Sequence, residues 1–168
     1  MEIVTVATEK NKKFLHEKTN VFDFNAHTRK EVESLIKKMK KIMIDANGVG
    51  LAANQIGLPY HIFVARVPDK NGKMKFYAIF NPVLEKLSNE TADLSEGCLS
   101  VPGVYGEVER HLKLTLKGFD KLGKPLKIKA WGLLAHVFQH EMDHLNGTLF
   151  IDKAKRTYDI AEHEKTKS

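Results

Sequence analysis

Between residues 28 and 46 the apolar positions Val32, Leu35, Ile36, Met39, Ile42 and Met43 recur at spacings of three and four. That places them on one stripe of an amphipathic helix. Thr28, with Glu31 three residues later, has the form of a capping box, and Asn47-Gly48 supplies the stop. The period then changes. Residues 60–67 and 74–80 read as two strands joined by the turn Asp69-Lys70-Asn71-Gly72-Lys73, and residues 82–88 are a candidate further strand. Leu112, Leu114 and Leu116 alternate with Lys113, Thr115 and Lys117. After a turn at residues 120–124, Leu126, Ile128 and Ala130 alternate again on the way back. Residues 131–145 form the second long helix, with Leu134, Val137, Phe138, Met142 and Leu145 as buried candidates and Gly147 as its stop. Residues 1–27 carry no firm period, residues 10–13 read as a solvated turn, and residues 90–106 read as a loop. Strand runs between two separated helices, without regular alternation, predict an α+β fold. One domain is expected over residues 1–168, with a basic, frayed tail from about residue 153.

Composition narrows the class without naming a chemistry. A content of 42% hydrophobic and 29% charged residues is that of an ordinary globular chain. No run approaches the ~20 apolar residues of a membrane span. The first ten residues lack the basic start and long apolar stretch of a signal peptide. Cys98 is the only cysteine, so no internal disulfide forms and a reducing, cytoplasmic setting is expected. The net charge of +6 favours polyanions. Lys37-Lys38, Lys40-Lys41 and the basic tail read first as solvated surface, with weak contact to ribosomal RNA as the sharper alternative. No motif for sequence-specific nucleic-acid binding is present.

The chemistry is concentrated in Gln139-His140-Glu141-Met142-Asp143-His144. On a helix, residues four apart share a face, so His140 and His144 can hold one metal ion while Glu141 reaches its bound water. This H-E-x-x-H pattern supplies two ligands and a general base for metal-assisted hydrolysis. A catalytic site of this kind needs a third ligand. Cys98, within Ser95-Glu96-Gly97-Cys98-Leu99-Ser100, is the natural applicant, although a lone cysteine is also a common small buried hydrophobe. Gly48-Val49-Gly50-Leu51-Ala52-Ala53 allows close approach of backbone to a neighbour.

Three motifs in order resemble those of the peptide deformylases: Gly48-Val49-Gly50-Leu51-Ala52-Ala53-Asn54-Gln55, then Glu96-Gly97-Cys98-Leu99-Ser100, then the H-E-x-x-H run. The resemblance extends over about residues 28–152. It implies removal of the N-formyl group from the initiator methionine of nascent polypeptides. It also implies antiparallel sheets around a central C-terminal helix that carries the histidines, with one amphipathic helix toward the N-terminus. By resemblance, Cys98, His140 and His144 hold the metal, and Glu141 is the general base that later returns its proton to the leaving amine. The metal, the backbone N–H of Leu99 and the side-chain amide of Gln55 would stabilise the oxyanion. Val49, Gly50, Leu94, Gly97, Leu133 and Val137 fall at substrate-binding positions, and Glu96 and Arg110 are expected to pair behind the cysteine loop.

Cys/His/His ligation suits zinc. The resemblance implies ferrous iron in the cell, with zinc, nickel or cobalt as substitutes. Two departures from the family pattern stand out. His136 occupies a position that is usually apolar, which puts it at the pocket rim or surface, and Thr8-Glu9 stands where a proline is common. A long ribosome-docking helix after the second helix is not expected. Two other readings compete: an H-E-x-x-H zinc endopeptidase, which needs a ligand downstream of His144, and a non-catalytic ribosome-associated metal-binding protein.

Overall fold

The computed structural model describes residues 2–160. The order of elements is α1 (Glu9–Leu15), α2 (Arg29–Asp45), β1 (Gly50–Ala52), β2 (Ile62–Pro68), β3 (Met74–Glu85), β4 (Thr91–Cys98), β5 (Val101–His111), β6 (Lys113–Phe119), β7 (Pro125–Trp131), α3 (Gly132–Leu145), α4 (Phe150–Lys153) and β8 (Arg156–Asp159). All pairings between strands are antiparallel. One sheet has the order β1-β2-β3-β6-β7 and the other β4-β5-β8, and α3 lies against both. The fold is α+β, as the pattern of elements predicts.

Strand β2 shows how one sheet serves two cores. Its residues are almost all buried, so the period-2 alternation separates one helix from another rather than core from solvent. Phe63, Ala65 and Val67 join Ala135, Phe138, Met142 and Leu145 of α3. Ile62 and Val64 join Val32, Ile36, Met39 and Met43 of α2 on the opposite face. Burying each such large side chain stabilises the fold by ~1.5–3 kcal/mol. The α2 stripe is therefore the one read from sequence, and its ends agree too. Thr28 and Glu31 form the capping box, and Asn47 takes a positive φ of 55° just beyond the last turn.

Three sequence expectations change. Residues 10–13 are not a turn but belong to α1, which Thr8 caps by accepting from the Asn11 N–H. Only Leu15 of that short helix is buried, so no stripe could reveal it. Residues 90–106 are not a loop: they form most of the β4–β5 hairpin. Residues 82–88 are no separate strand, because β3 runs through an irregularity between Phe80 and Val83 to end at Glu85. Of the stretch expected to fray, Arg156–Asp159 pairs with β5, and residues 161–168 lie outside the described residues.

The end of α3 is fixed against the end of α1 at Gly147. Its φ is +73°, and an added Cβ would overlap the His16 carbonyl oxygen. Gly147→Ala should lower the unfolding free energy by about 2 kcal/mol, read as a lower urea midpoint at unchanged slope. An unshifted midpoint would show that the two helix ends do not constrain each other.

Candidate active site

Helix α3 presents His140 and His144 on one face, and the C-terminal end of β4 brings Cys98 to them. The three ligand atoms lie within 4.8 Å of one another, with His144 Nε2 3.1 Å from Cys98 Sγ. Cys98 sits where the β4–β5 register shifts between Gly97 and Cys98, an irregularity that re-aims a side chain at a strand end.

Behind the histidines Glu96 is 3% exposed and accepts four hydrogen bonds. Arg110 donates from Nε at 2.6 Å and from its NH2 group at 3.0 Å, His136 Nε2 donates at 2.8 Å, and His140 Nδ1 donates at 2.8 Å. Burial alone would push this carboxyl up, but the donors from His136, His140 and Arg110 outweigh it and hold Glu96 well below the ordinary carboxylate range. The contact also decides a tautomer. With Nδ1–H given to Glu96, the Nε2 lone pair of His140 is left for a cation. Arg110 donates further to Asp143 at 2.7 Å.

Cys98 is pulled in opposite directions. Burial raises its thiol, while His144 and His140 lower it further than burial raises it. His140 mirrors this: burial lowers it, and Cys98 and Glu96 raise it well above the usual imidazole value. The trio therefore favours a thiolate beside a proton that a bound cation would displace. Glu141 is 3% exposed and pushed up to about 7, chiefly by burial, with His140 and His144 partly offsetting it. Its Oε2 and the Nδ1 of His144 are buried without a hydrogen-bond partner among the described residues. Such an atom is uncommon unless a water or ligand meets it. Two imidazoles, a favoured thiolate and a partnerless carboxylate together fit a divalent metal of nitrogen and sulfur preference.

Gln55 reaches the same place from the 3-10 turn Ala53–Ile56. Its Oε1 accepts from the Ala52 N–H at 2.9 Å, and its Nε2 donates to Ser100 Oγ at 3.1 Å and toward Cys98 Sγ at 3.5 Å. Gly50 packs so closely on α3 that an added Cβ would overlap Glu141 Oε1. A cavity of about 430 Å³ opens onto the centre, with Val49, Gly50, Gln55, Glu96, Gly97, Cys98, Leu99, Leu133, Val137, His140 and Glu141 in its walls. Leu94 is the exception: it lies opposite Val108 on β4 and does not line the cavity. Sequence reasoning missed Ser100, Asp143 and Tyr105. Ser100 and Asp143 hold other site residues and Tyr105 lines the cavity; the first two stand inside the sequence motifs, and that membership was the only signal of a role. His136 is at the rim, as expected, but is tied to Glu96. The endopeptidase alternative needs a ligand after His144, whereas the donor that joins the two histidines is Cys98.

Donors that converge beside a buried carboxylate in an open cleft define a class, the metal-dependent hydrolases of the H-E-x-x-H kind. The sequence model described as polypeptide deformylase matches residues 2–159, and the chain belongs to that family. It is 39% identical over 164 residues to the chloroplastic peptide deformylase 1A of Solanum lycopersicum, spanning 89% of this chain and 59% of that one. It is 44% identical over 130 residues to the peptide deformylase of Pelotomaculum thermopropionicum, spanning 77% of this chain and 80% of that one. A Met-Ala-Ser-bound crystal structure of the class I type b enzyme from Acinetobacter baumannii superposes with a TM-score of 0.82 at 27% identity, covering 91% of this chain and 97% of that one.

The depressed Glu96 carboxyl makes stability depend on pH. Because its folded pKa lies below the unfolded one, its contribution is fully present above the unfolded carboxylate value near 4.3 and is lost as pH falls toward the folded value. Glu96→Gln should cost about 3 kcal/mol at neutral pH and should flatten the loss of stability from about pH 5 downward. Urea unfolding of metal-free protein between those conditions measures both. Identical acid limbs in the two proteins would remove Glu96 as the source.

Proposed function

We propose that this chain hydrolyses the N-formyl group from the methionine of nascent polypeptides and releases formate. As an amidohydrolase, it would act on a linear amide. The observation that carries the reading is the partnerless Glu141 carboxylate standing beside Cys98, His140 and His144 in the cleft. Cys98, His140 and His144 would hold the metal, which when bound supplies Lewis acidity that makes water a nucleophile at neutral pH. Ferrous iron is the ion proposed in the cell, with zinc, nickel or cobalt as substitutes. Such a site is sensitive to oxidation at Cys98.

Glu141 takes a proton from the attacking water at its carboxylate and returns it to the departing amine. A carboxyl raised toward neutrality suits a group that must both accept and donate. Gln55 Nε2 and the backbone N–H of Leu99 are the donors proposed for the developing oxyanion. Gln55 is pre-aimed because its Oε1 is already held by Ala52 and its amide by Ser100. The peptide enters as an added strand. β1 and β4 are both edge strands, and residues of both line the cleft. Val49, Leu133 and Val137 offer a flexible methionine side chain its apolar walls, and Gly50 and Gly97 leave room for backbone. The Acinetobacter baumannii relative is bound to Met-Ala-Ser, the peptide that this hydrolysis would release from formyl-Met-Ala-Ser. A cytoplasmic setting is the companion proposal, supported by the lone Cys98. No helix among the described residues is long and apolar enough to cross a membrane. Weak contact with the ribosome is supported by the net charge of +6.

Anaerobically prepared, iron-loaded protein should release free amine from formyl-Met-Ala-Ser, and leave acetyl-Met-Ala-Ser and internal peptide bonds intact. Cleavage of an internal bond would make it a peptidase, and a loaded but inert site would make it a binding protein. Glu141→Gln should keep the metal and lower kcat by about 10²–10⁴-fold. Gly50→Ala should displace Glu141 and lower kcat by about 10²-fold, again with full metal content.

A further inference from the structure

We propose that the outer face of the β6–β7 hairpin is a binding site for a short single-stranded RNA segment. Its phosphates would lie on Lys86, Lys113, Lys127 and Lys129, and a base would stack on Trp131. Residues directly opposite in an antiparallel pair share a face. Here Lys113 lies opposite Trp131, Thr115 opposite Lys129 and Lys117 opposite Lys127. Lys86 joins them from the position just after β3. Lys86, Lys113, Thr115, Lys129 and Trp131 border a cavity of about 450 Å³, separate from the hydrolytic cleft.

The charge of this face is largely uncompensated. Lys117 pairs with Glu85 at 3.0 Å, but Lys86, Lys113, Lys127 and Lys129 have no acidic partner among the described residues. Placing Lys117 directly across from Lys127 is unfavourable by itself. Lysines on an edge strand such as β7 can be explained as a guard against pairing with another copy. Trp131 has the opposite effect: an indole 66% exposed at the end of that edge invites association. A flat aromatic face flanked by free ammonium groups along a groove is instead the arrangement that holds single strands, by stacking and phosphate neutralisation. Leu114 and Ala130 also line this cavity but are buried, so the exposed side chains beside the indole are lysines rather than the apolar neighbours a membrane surface would favour. The choice of RNA over DNA alone rests on the nascent-chain substrate proposed above; the site does not.

Trp131 is the only tryptophan, so its fluorescence reports the site directly. An oligouridylate of about 12 nucleotides should quench it, and affinity should fall roughly tenfold or more between about 50 mM and 200 mM salt. Lys113→Glu with Lys129→Glu should weaken binding at least about tenfold, leaving formyl-Met-Ala-Ser turnover and the urea midpoint unchanged. Lys37→Glu with Lys38→Glu makes the same charge change on α2 and should bind as the parent does. In an anisotropy assay with labelled RNA, Trp131→Ala should lose about tenfold. The site is overturned by absence of quenching at low salt, by equal weakening in both double variants, or by tighter binding to phosphatidylserine vesicles than to RNA. Tighter binding of the matched oligothymidylate overturns RNA as the partner. None of these readouts depends on turnover, so failure of the hydrolase reading would show separately in the formyl-peptide assay.

Discussion

The buried carboxylate of Glu96 is the contact on which the site depends. It belongs to β4, accepts twice from Arg110 of β5, and accepts once each from His136 and His140 of α3. Arg110 continues to Asp143, one turn along α3, and Lys153 at the end of α4 donates to the same aspartate at 2.6 Å. Buried ion pairs of this sort are weak sources of net stability, because desolvation opposes the attraction. What they fix is position. Here one carboxylate sets the β4–β5 hairpin against α3 and leaves the correct nitrogen of His140 facing Cys98.

The larger sheet solves a different problem, how close α3 can come. Phe63 and Phe138 meet with ring centroids 5.5 Å apart, and Ala52, Ala65 and Ala135 fill the same core with small side chains. Tight packing of this kind transmits small changes in volume. At the edge of that core Gly50 abuts Glu141, so the catalytic carboxylate proposed here is positioned by a missing side chain. Asn54 adds a second tie, donating from its amide to the His144 carbonyl at 2.7 Å. Backbone on one side and a helix on the other thus hold Glu141 without giving its Oε2 a partner.

What could be read from the sequence follows from where the hydrophobic period is intact. The α2 stripe, its capping box and the β6–β7 alternation are strong local signals, and the structure contains all three. The H-E-x-x-H run and Cys98 were legible as chemistry, and their meeting is now a distance. The β4–β5 hairpin was illegible for a physical reason. Along β4 the side chains facing inward are Ala92, Leu94 and Glu96, so its most buried member is charged. The compensating donors, Arg110, His136 and His140, sit 14, 40 and 44 positions away in sequence, beyond any local pattern. Leu94, carried over from a family position rather than from a local pattern, lies on β4 beside the cavity without lining it.

The sheet edges tie these features together. Exposed edges are liabilities that folds normally cover or charge. β7 is charged, with Lys127 and Lys129 along it. β8 takes up one side of β5, which leaves β4 as an edge, and β1 is only three residues long. Both edges flank the cleft: Cys98 at the end of β4 is a proposed metal ligand, and Gly50 at the start of β1 abuts Glu141. A short β1 cannot recruit another chain along much length, yet it can orient a few residues of extended peptide. The same shortness that limits aggregation therefore still leaves pairing groups for the few residues that follow a formyl group.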